Sequence, residues 1–286
     1  MLDGVSTAIA DNDCDLKISD PVGTSTGTVV FFGGAHNQGW WEQSSPLTVA
    51  SVLTPAIARG QRVIQNSWGA IAWDTGTVGA LALACRTATL LTAIHADATL
   101  YTPGTPFIIV AHSAGCSQTM YSMCHYGISS FVDLCLLSSG PPHARIDWGT
   151  DGSADPTWAV AGPPLCTTGA VIQYSSPTET GIIDNAFGRT YCASRSITGG
   201  IDNPGLNTAI LRPDALLTFP QTTIKAYYGN RDGSIAPPMG RYFLRQLVNG
   251  YTETIITQPA GHGHNQVPED AGTNINADLA AAVFLH

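Results

Sequence analysis

Apolar residues in this chain fall either into short unbroken runs or into stretches where they recur every three or four positions. The runs at 27–32, 61–65, 107–110, 131–137, 222–228 and 252–258 predict strands, with a weaker one at 16–19. Helical spacing predicts helices over 51–59, 78–96, 239–248 and 276–284, and just after Ser113, where Cys116, Met120 and Cys124 recur at i, i+4 and i+8. Alternation of this kind predicts an α/β fold, a mostly parallel sheet flanked by helices. It lapses over 140–217, a Gly/Pro/Thr-rich stretch carrying Trp148, Trp158, Tyr174, Phe187 and Tyr191. The expected division is a core of 1–139 and 218–286 with a cap- or lid-like insertion over 140–217. Such an insertion either walls a substrate site or packs as an excursion with a small core of its own.

One junction stands out. The run Phe107-Ile108-Ile109-Val110 passes through Ala111-His112-Ser113-Ala114-Gly115 directly into the next helical stretch, which puts Ser113 on a tight strand-to-helix corner. A corner that sharp strains the backbone of its central residue and leaves room only for small side chains two positions to either side, here Ala111 and Gly115. An ordinary junction with a serine N-cap gives the same short pattern.

Two further loops follow predicted strands: Gly229-Asn230-Arg231-Asp232-Gly233-Ser234-Ile235-Ala236-Pro237, and Pro259-Ala260-Gly261-His262-Gly263-His264-Asn265. In an open parallel sheet, loops at the carboxyl ends of the strands converge on one edge, so Ser113, Asp232 and a histidine are expected to meet there. Serine needs a histidine to take its proton, and the histidine needs a carboxylate to hold its tautomer, so this set supplies an activated nucleophile. Asp184, Asp202 and Asp214 compete for the carboxylate but lie in the irregular stretch. His262 and His264 compete for the place of the base: His262 fits the Gly-His ending of its strand better, and His264 is then a residue supporting or lining the cleft. The His-x-His pair, with His36, could hold a metal, but no carboxylate or cysteine stands at a telling spacing, so no metal is expected.

With these three loops in order, the sequence resembles the α/β-hydrolase superfamily, and more narrowly its serine esterases and lipases. The resemblance implies catalysis by Ser113, Asp232 and His262 through an acyl-enzyme, with no cofactor. It also implies an oxyanion hole built from the N–H groups of Ala114 and of Ala35, or alternatively His36, in the loop Gly33-Gly34-Ala35-His36-Asn37-Gln38-Gly39-Trp40-Trp41. His36, Trp40, Trp41 and His264 are the candidate substrate contacts, although Trp40, Trp41 and Trp68 serve equally well as core. The expected activity is hydrolysis of carboxylic esters: short-chain, aryl or polymeric. An amide or peptide hydrolase and a non-catalytic binding protein on the same scaffold are the alternatives.

Composition narrows this reading. Charged residues make up 12% of the chain against 44% hydrophobic, and the net charge of −9 comes without any Lys/Arg run, so neither nucleic acid nor an anionic membrane is an expected partner. No apolar run approaches the roughly 18 to 20 residues that span a bilayer. The first ten residues lack the basic and long apolar regions of a secretory signal, yet the Thr/Ser/Asn-rich, Lys-poor surface suggests a secreted protein, with a cytoplasmic one as the alternative. Of seven cysteines, Cys116, Cys124 and Cys135 are expected to be small buried hydrophobes, and Cys166 and Cys192 to form a disulfide in the irregular stretch.

Overall fold

The computed structural model describes residues 12–44, 47–151, 174, 177–188 and 209–282. Its sheet has seven strands: β1 (Cys14–Ser19), β2 (Gly27–Phe32), β3 (Gln61–Trp68), β4 (Phe107–His112), β5 (Leu134–Ser138), β6 (Thr223–Gly229) and β7 (Thr252–Ile256). They lie in the order β1-β3-β2-β4-β5-β6-β7, all parallel except β1, which runs antiparallel to β3. The inner strands β2, β4 and β5 are buried along their whole length, which is why they read as continuous apolar runs. In β4, Phe107, Ile109 and Ala111 join one layer of core, while Ile108 and Val110 join the other. β1, at one edge, presents Asp15 and Lys17 and is largely uncovered.

The helices are α1 (Trp41–Ser44), α2 (Thr54–Ala58), α3 (Ala80–Leu83), α4 (Cys85–Ala96), α5 (Ala114–His125), α6 (Ile146–Asp151), α7 (Pro177–Phe187), α8 (Ala236–Leu244), α9 (Val267–Asp270) and α10 (Gly272–Ala282). Residues of α4, α5 and α8 pack on one face of the sheet, while those of α2 and α10 pack on the other. α5 is buried from Ala114 to Cys124, so Cys116 and Cys124, with Cys135 of β5, are core residues with free thiols, as expected.

The helices expected over 239–248 and 276–284 run instead over Ala236–Leu244 and Gly272–Ala282, and four other boundaries differ from expectation for a local reason. The helix expected over 51–59 is a π turn (Val49–Leu53) followed by α2, because Pro55 has no N–H to continue a regular ladder. The helix expected over 78–96 is interrupted at Ala84. β5 starts at Leu134, not at 131, since Ile128–Ser130 forms a 3-10 turn and the Phe131 ring stacks on His95 at 4.3 Å. β7 ends at Ile256 because Gln258 turns to bond the neighbouring loop.

Much of the stretch 140–217, including Cys166, Cys192, Trp158 and Tyr191, lies outside the described residues. Of the part that is described, Ile182, Ile183, Ala186 and Phe187 of α7 are buried in the same core layer as α4 and α5. The backbone N–H groups of Gly76 and Gly79 donate to the carbonyls of Asn185 and Ala186, fixing that helix to the loop before α3.

Candidate active site

β4 ends at His112, and Ser113 turns the chain with φ 52° and ψ −121°, after which α5 begins at Ala114. A non-glycine residue held at positive φ costs roughly 1–3 kcal/mol and persists only where its surroundings enforce it. Here the Ser113 N–H donates to the Ser138 carbonyl of β5 (2.9 Å). A Cβ on Gly115 would stand 2.5 Å from the Gly33 carbonyl oxygen and 2.6 Å from that of Phe32, so only glycine fits where α5 crosses the end of β2.

Asp232 follows β6 and is fully buried. Its Oδ1 accepts hydrogen bonds from the Ser234 N–H (3.0 Å) and hydroxyl (2.7 Å). Its Oδ2 lies 2.9 Å from Nδ1 of His264, and Nε2 of His264 lies 2.8 Å from Oγ of Ser113. Burial pushes the Asp232 carboxyl up, but the His264 charge and hydrogen bond, with help from the Ser234 hydroxyl, bring it down to about 2. An ionised Asp232 accepts a hydrogen bond from the Nδ1–H of His264, which leaves Nε2 as the acceptor facing the serine hydroxyl.

The histidine in this chain of contacts is therefore His264, not His262. Nδ1 of His262 lies 2.9 Å from Oδ1 of Asp270 at the end of α9. The physical cause is the early end of β7. Residues 259–262 close a turn, with the His262 N–H on the Pro259 carbonyl (3.2 Å) and Gly261 at φ 86°. Gly263 is then fully extended and carries the chain two residues further, to the 3-10 turn His264–Gln266 at the mouth of the cleft. Counting from the sequence end of the strand misplaces the ring by those two residues.

Gln258, which the sequence reading passed over, links the two loops. Its Oε1 accepts from the Arg231 N–H (3.1 Å), beside Asp232, and its Nε2 donates to the Gly263 carbonyl (2.9 Å), beside His264, and to Asp270 (2.9 Å). It is 3% exposed, and a Cβ on Gly229 would stand 2.0 Å from its Oε1, so a side chain there would displace the amide that joins the loops. A polar residue closing an apolar strand was the only sequence signal. Ser234 was legible as a short-range partner of Asp232, since Asp-x-Ser places a hydroxyl beside the carboxylate in a turn.

The loop after β2 forms the opposite wall. Ala35 and Asn37 both have positive φ, 48° and 52°. The loop is pinned by Oδ1 of Asn37, which accepts from the Gly33 N–H (2.7 Å), and by the indole N–H of Trp73, which donates to the Ala35 carbonyl (3.1 Å). Among the described residues the N–H groups of Ala35 and Ala114 have no acceptor. The imidazole of His36 does not line the cleft. It pairs with buried Asp74 at 2.9 Å, and that hydrogen bond raises its pKa. Trp41 is likewise core, 1% exposed, packed on Phe31 at 5.3 Å with its indole N–H on Thr48. Trp68 is core as well, its indole N–H on Gln118. Only Trp40 of the three tryptophans faces the cleft.

These walls enclose a cavity of about 750 Å³ with Ser113 and His264 on its surface, completed by His143, Tyr174 and residues of α7. Among the described residues no Lys or Arg lines it, and Glu179 is its one carboxylate. His112 and His143 are buried beside it, and burial pushes both imidazoles down to about 3, so each is neutral. No group of three or more His, Cys, Asp or Glu among the described residues is arranged to hold a metal ion.

Neither a protein-family model nor a curated protein matches this sequence. Solved structures do match the fold. An arylesterase is similar over 94% of this chain and 81% of its own, with a TM-score of 0.59 at 12% identity. A truncated carbohydrate esterase from gut microbiota is similar over 94% and 90%, with a TM-score of 0.58 at 12% identity. A lipase in its open form is similar over 96% of each chain, with a TM-score of 0.53 at 13% identity. The chain has the α/β-hydrolase fold.

Proposed function

We propose that the protein is a serine hydrolase of carboxylic esters. The observation that carries this reading is the unbroken line of contacts from buried Asp232 through both ring nitrogens of His264 to Oγ of Ser113, opening on the cavity. Ser113 attacks the ester carbonyl while Nε2 of His264 takes its proton, and the N–H groups of Ala35 and Ala114 are placed to receive the oxyanion. The imidazolium then protonates the departing alcohol. Water, deprotonated by the same nitrogen, attacks the acyl-enzyme and frees the acid, returning the proton to Ser113. Asp232 holds the Nδ1–H tautomer and stabilises the imidazolium. The ester-cleaving neighbours support the choice of bond, since the fold alone serves many reactions.

The test is intact-mass analysis after exposure to a fluorophosphonate, with Ser113→Ala as control. One adduct on the wild type and none on the variant is expected. Folded wild-type protein that takes up no adduct would overturn the reading. Turnover of matched ester and amide pairs then separates esterase from amidase, with the ester expected to be faster.

A further inference from the structure

The wall of the cavity formed by Gln38, Trp40 and Gln43 carries two amides whose orientation is fixed by what they touch. One end of Gln38 lies 2.9 Å from the Gly69 carbonyl oxygen. A carbonyl only accepts, so that end is the NH2, and Oε1 of Gln38 is the end left over. One end of Gln43 lies 3.0 Å from the Trp40 backbone N–H. An N–H only donates, so that end is the oxygen, and Nε2 of Gln43 is left over. Neither remaining atom has a hydrogen-bond partner among the described residues. The wall thus offers one acceptor and one donor, each held by a bond at its far end, beside the partly exposed ring of Trp40. Asn265, next to His264, adds a third amide with no partner among the described residues.

A hydroxyl group donates and accepts at once, and neighbouring hydroxyls match a donor and an acceptor held in place. Alkyl chains would desolvate these amides without replacing their hydrogen bonds with water. Anionic groups would meet Glu179 and, among the described residues, no Lys or Arg. We infer that the Gln38, Trp40 and Gln43 wall is a subsite for a neutral, hydroxyl-bearing part of the substrate, so that the substrate class is an acylated sugar or polyol. The inference rests on the ester-hydrolase reading for the reaction, but the subsite is testable without it.

The first measurement compares kcat/KM for a monoacetylated methyl xyloside, which keeps two free hydroxyls, with that for 4-nitrophenyl acetate in the wild type, Gln43→Leu and Gln38→Leu. Each variant is expected to lower the sugar-to-aryl ratio about tenfold, the size of one good hydrogen bond. Both positions are exposed, so the variants keep the core intact. The second measurement is calorimetric binding of the same sugar ester to Ser113→Ala, with and without Gln43→Leu. Binding weakened about tenfold by the second substitution is expected. An unmoved ratio in both variants, or a sugar ester that binds Ser113→Ala equally well with Gln43→Leu or not at all, would overturn the subsite. Absence of turnover on every ester, the aryl ester included, would instead overturn the esterase reading, and the binding result would still decide the subsite.

Discussion

Two histidine–carboxylate pairs sit two residues apart in one loop, His262 with Asp270 and His264 with Asp232, and both have Nδ1 at 2.9 Å from an oxygen. By that bond alone they are indistinguishable. They differ in what the other ring nitrogen meets. Nε2 of His264 faces Oγ of Ser113, whereas His262 makes no contact with Ser113. They differ also in the carboxylate: Asp232 is fully buried after β6, while Asp270 is partly exposed on a short helix. A carboxylate orients a ring; only the group at its far nitrogen makes that ring a base.

The sharpest way to break this comparison is to remove each ring. His264→Ala should lower kcat by about six orders of magnitude, as loss of a general base does when nucleophile and base act as a unit. His262→Ala should stay within a few-fold of wild type. Equal losses from the two variants in an aryl-ester assay would put the assignment of the base in doubt. The carboxylates come next. Asp232→Asn should cost about four orders of magnitude in kcat through the wrong tautomer, and Asp270→Asn less than tenfold. A wild-type rate in Asp232→Asn would remove it from the mechanism.

Gln258 joins the two pairs, so it tests whether they are independent. Gln258→Ala should lower kcat about tenfold by loosening both loops. It should also destabilise the fold by about 1–3 kcal/mol, because the Arg231 N–H and the Gly263 carbonyl lose their partner. A melting temperature that falls while kcat holds would show that the loops keep their geometry without it.

The smallest expected effect concerns acid. The ring of His112 lies 4.8 Å from that of His264. His112 and His143 bind protons near pH 3 in the folded state but near pH 6.5 when unfolded. The unfolded chain therefore holds more protons between those values. The stability these two rings contribute is complete above about pH 6.5 and is lost as pH falls toward 3, each by up to about 1.4 kcal/mol per pH unit. Asp232, with its carboxyl at about 2 against an ordinary 3.8, adds a further loss only below about pH 4. Urea midpoints measured from pH 7 to pH 4 should fall steadily, and His143→Leu should flatten that slope by about one proton. An unchanged slope would mean that His143 is not buried neutral.

The sheet was legible because strands covered on both faces must be apolar throughout, and β2, β4 and β5 are. The corner at Ser113 was legible because close crossing of strand and helix permits only glycine at 115, a constraint written into the residue itself. Asp232 was legible as the acidic residue directly following a strand. The identity of the histidine was not, since it depends on where β7 stops, and that is decided by Gln258 leaving the strand to bond Arg231. The roles of His36, Trp40 and Trp41 were not legible either. Adjacent residues in a loop share composition but point to different sides, so His36 found Asp74, Trp41 found the core and Trp40 the cavity. Local pattern and steric exclusion act along the chain and can be read from it. The pairing of side chains from strands more than a hundred residues apart, as between Ser113 and His264, is fixed only when the sheet brings their loops to one edge.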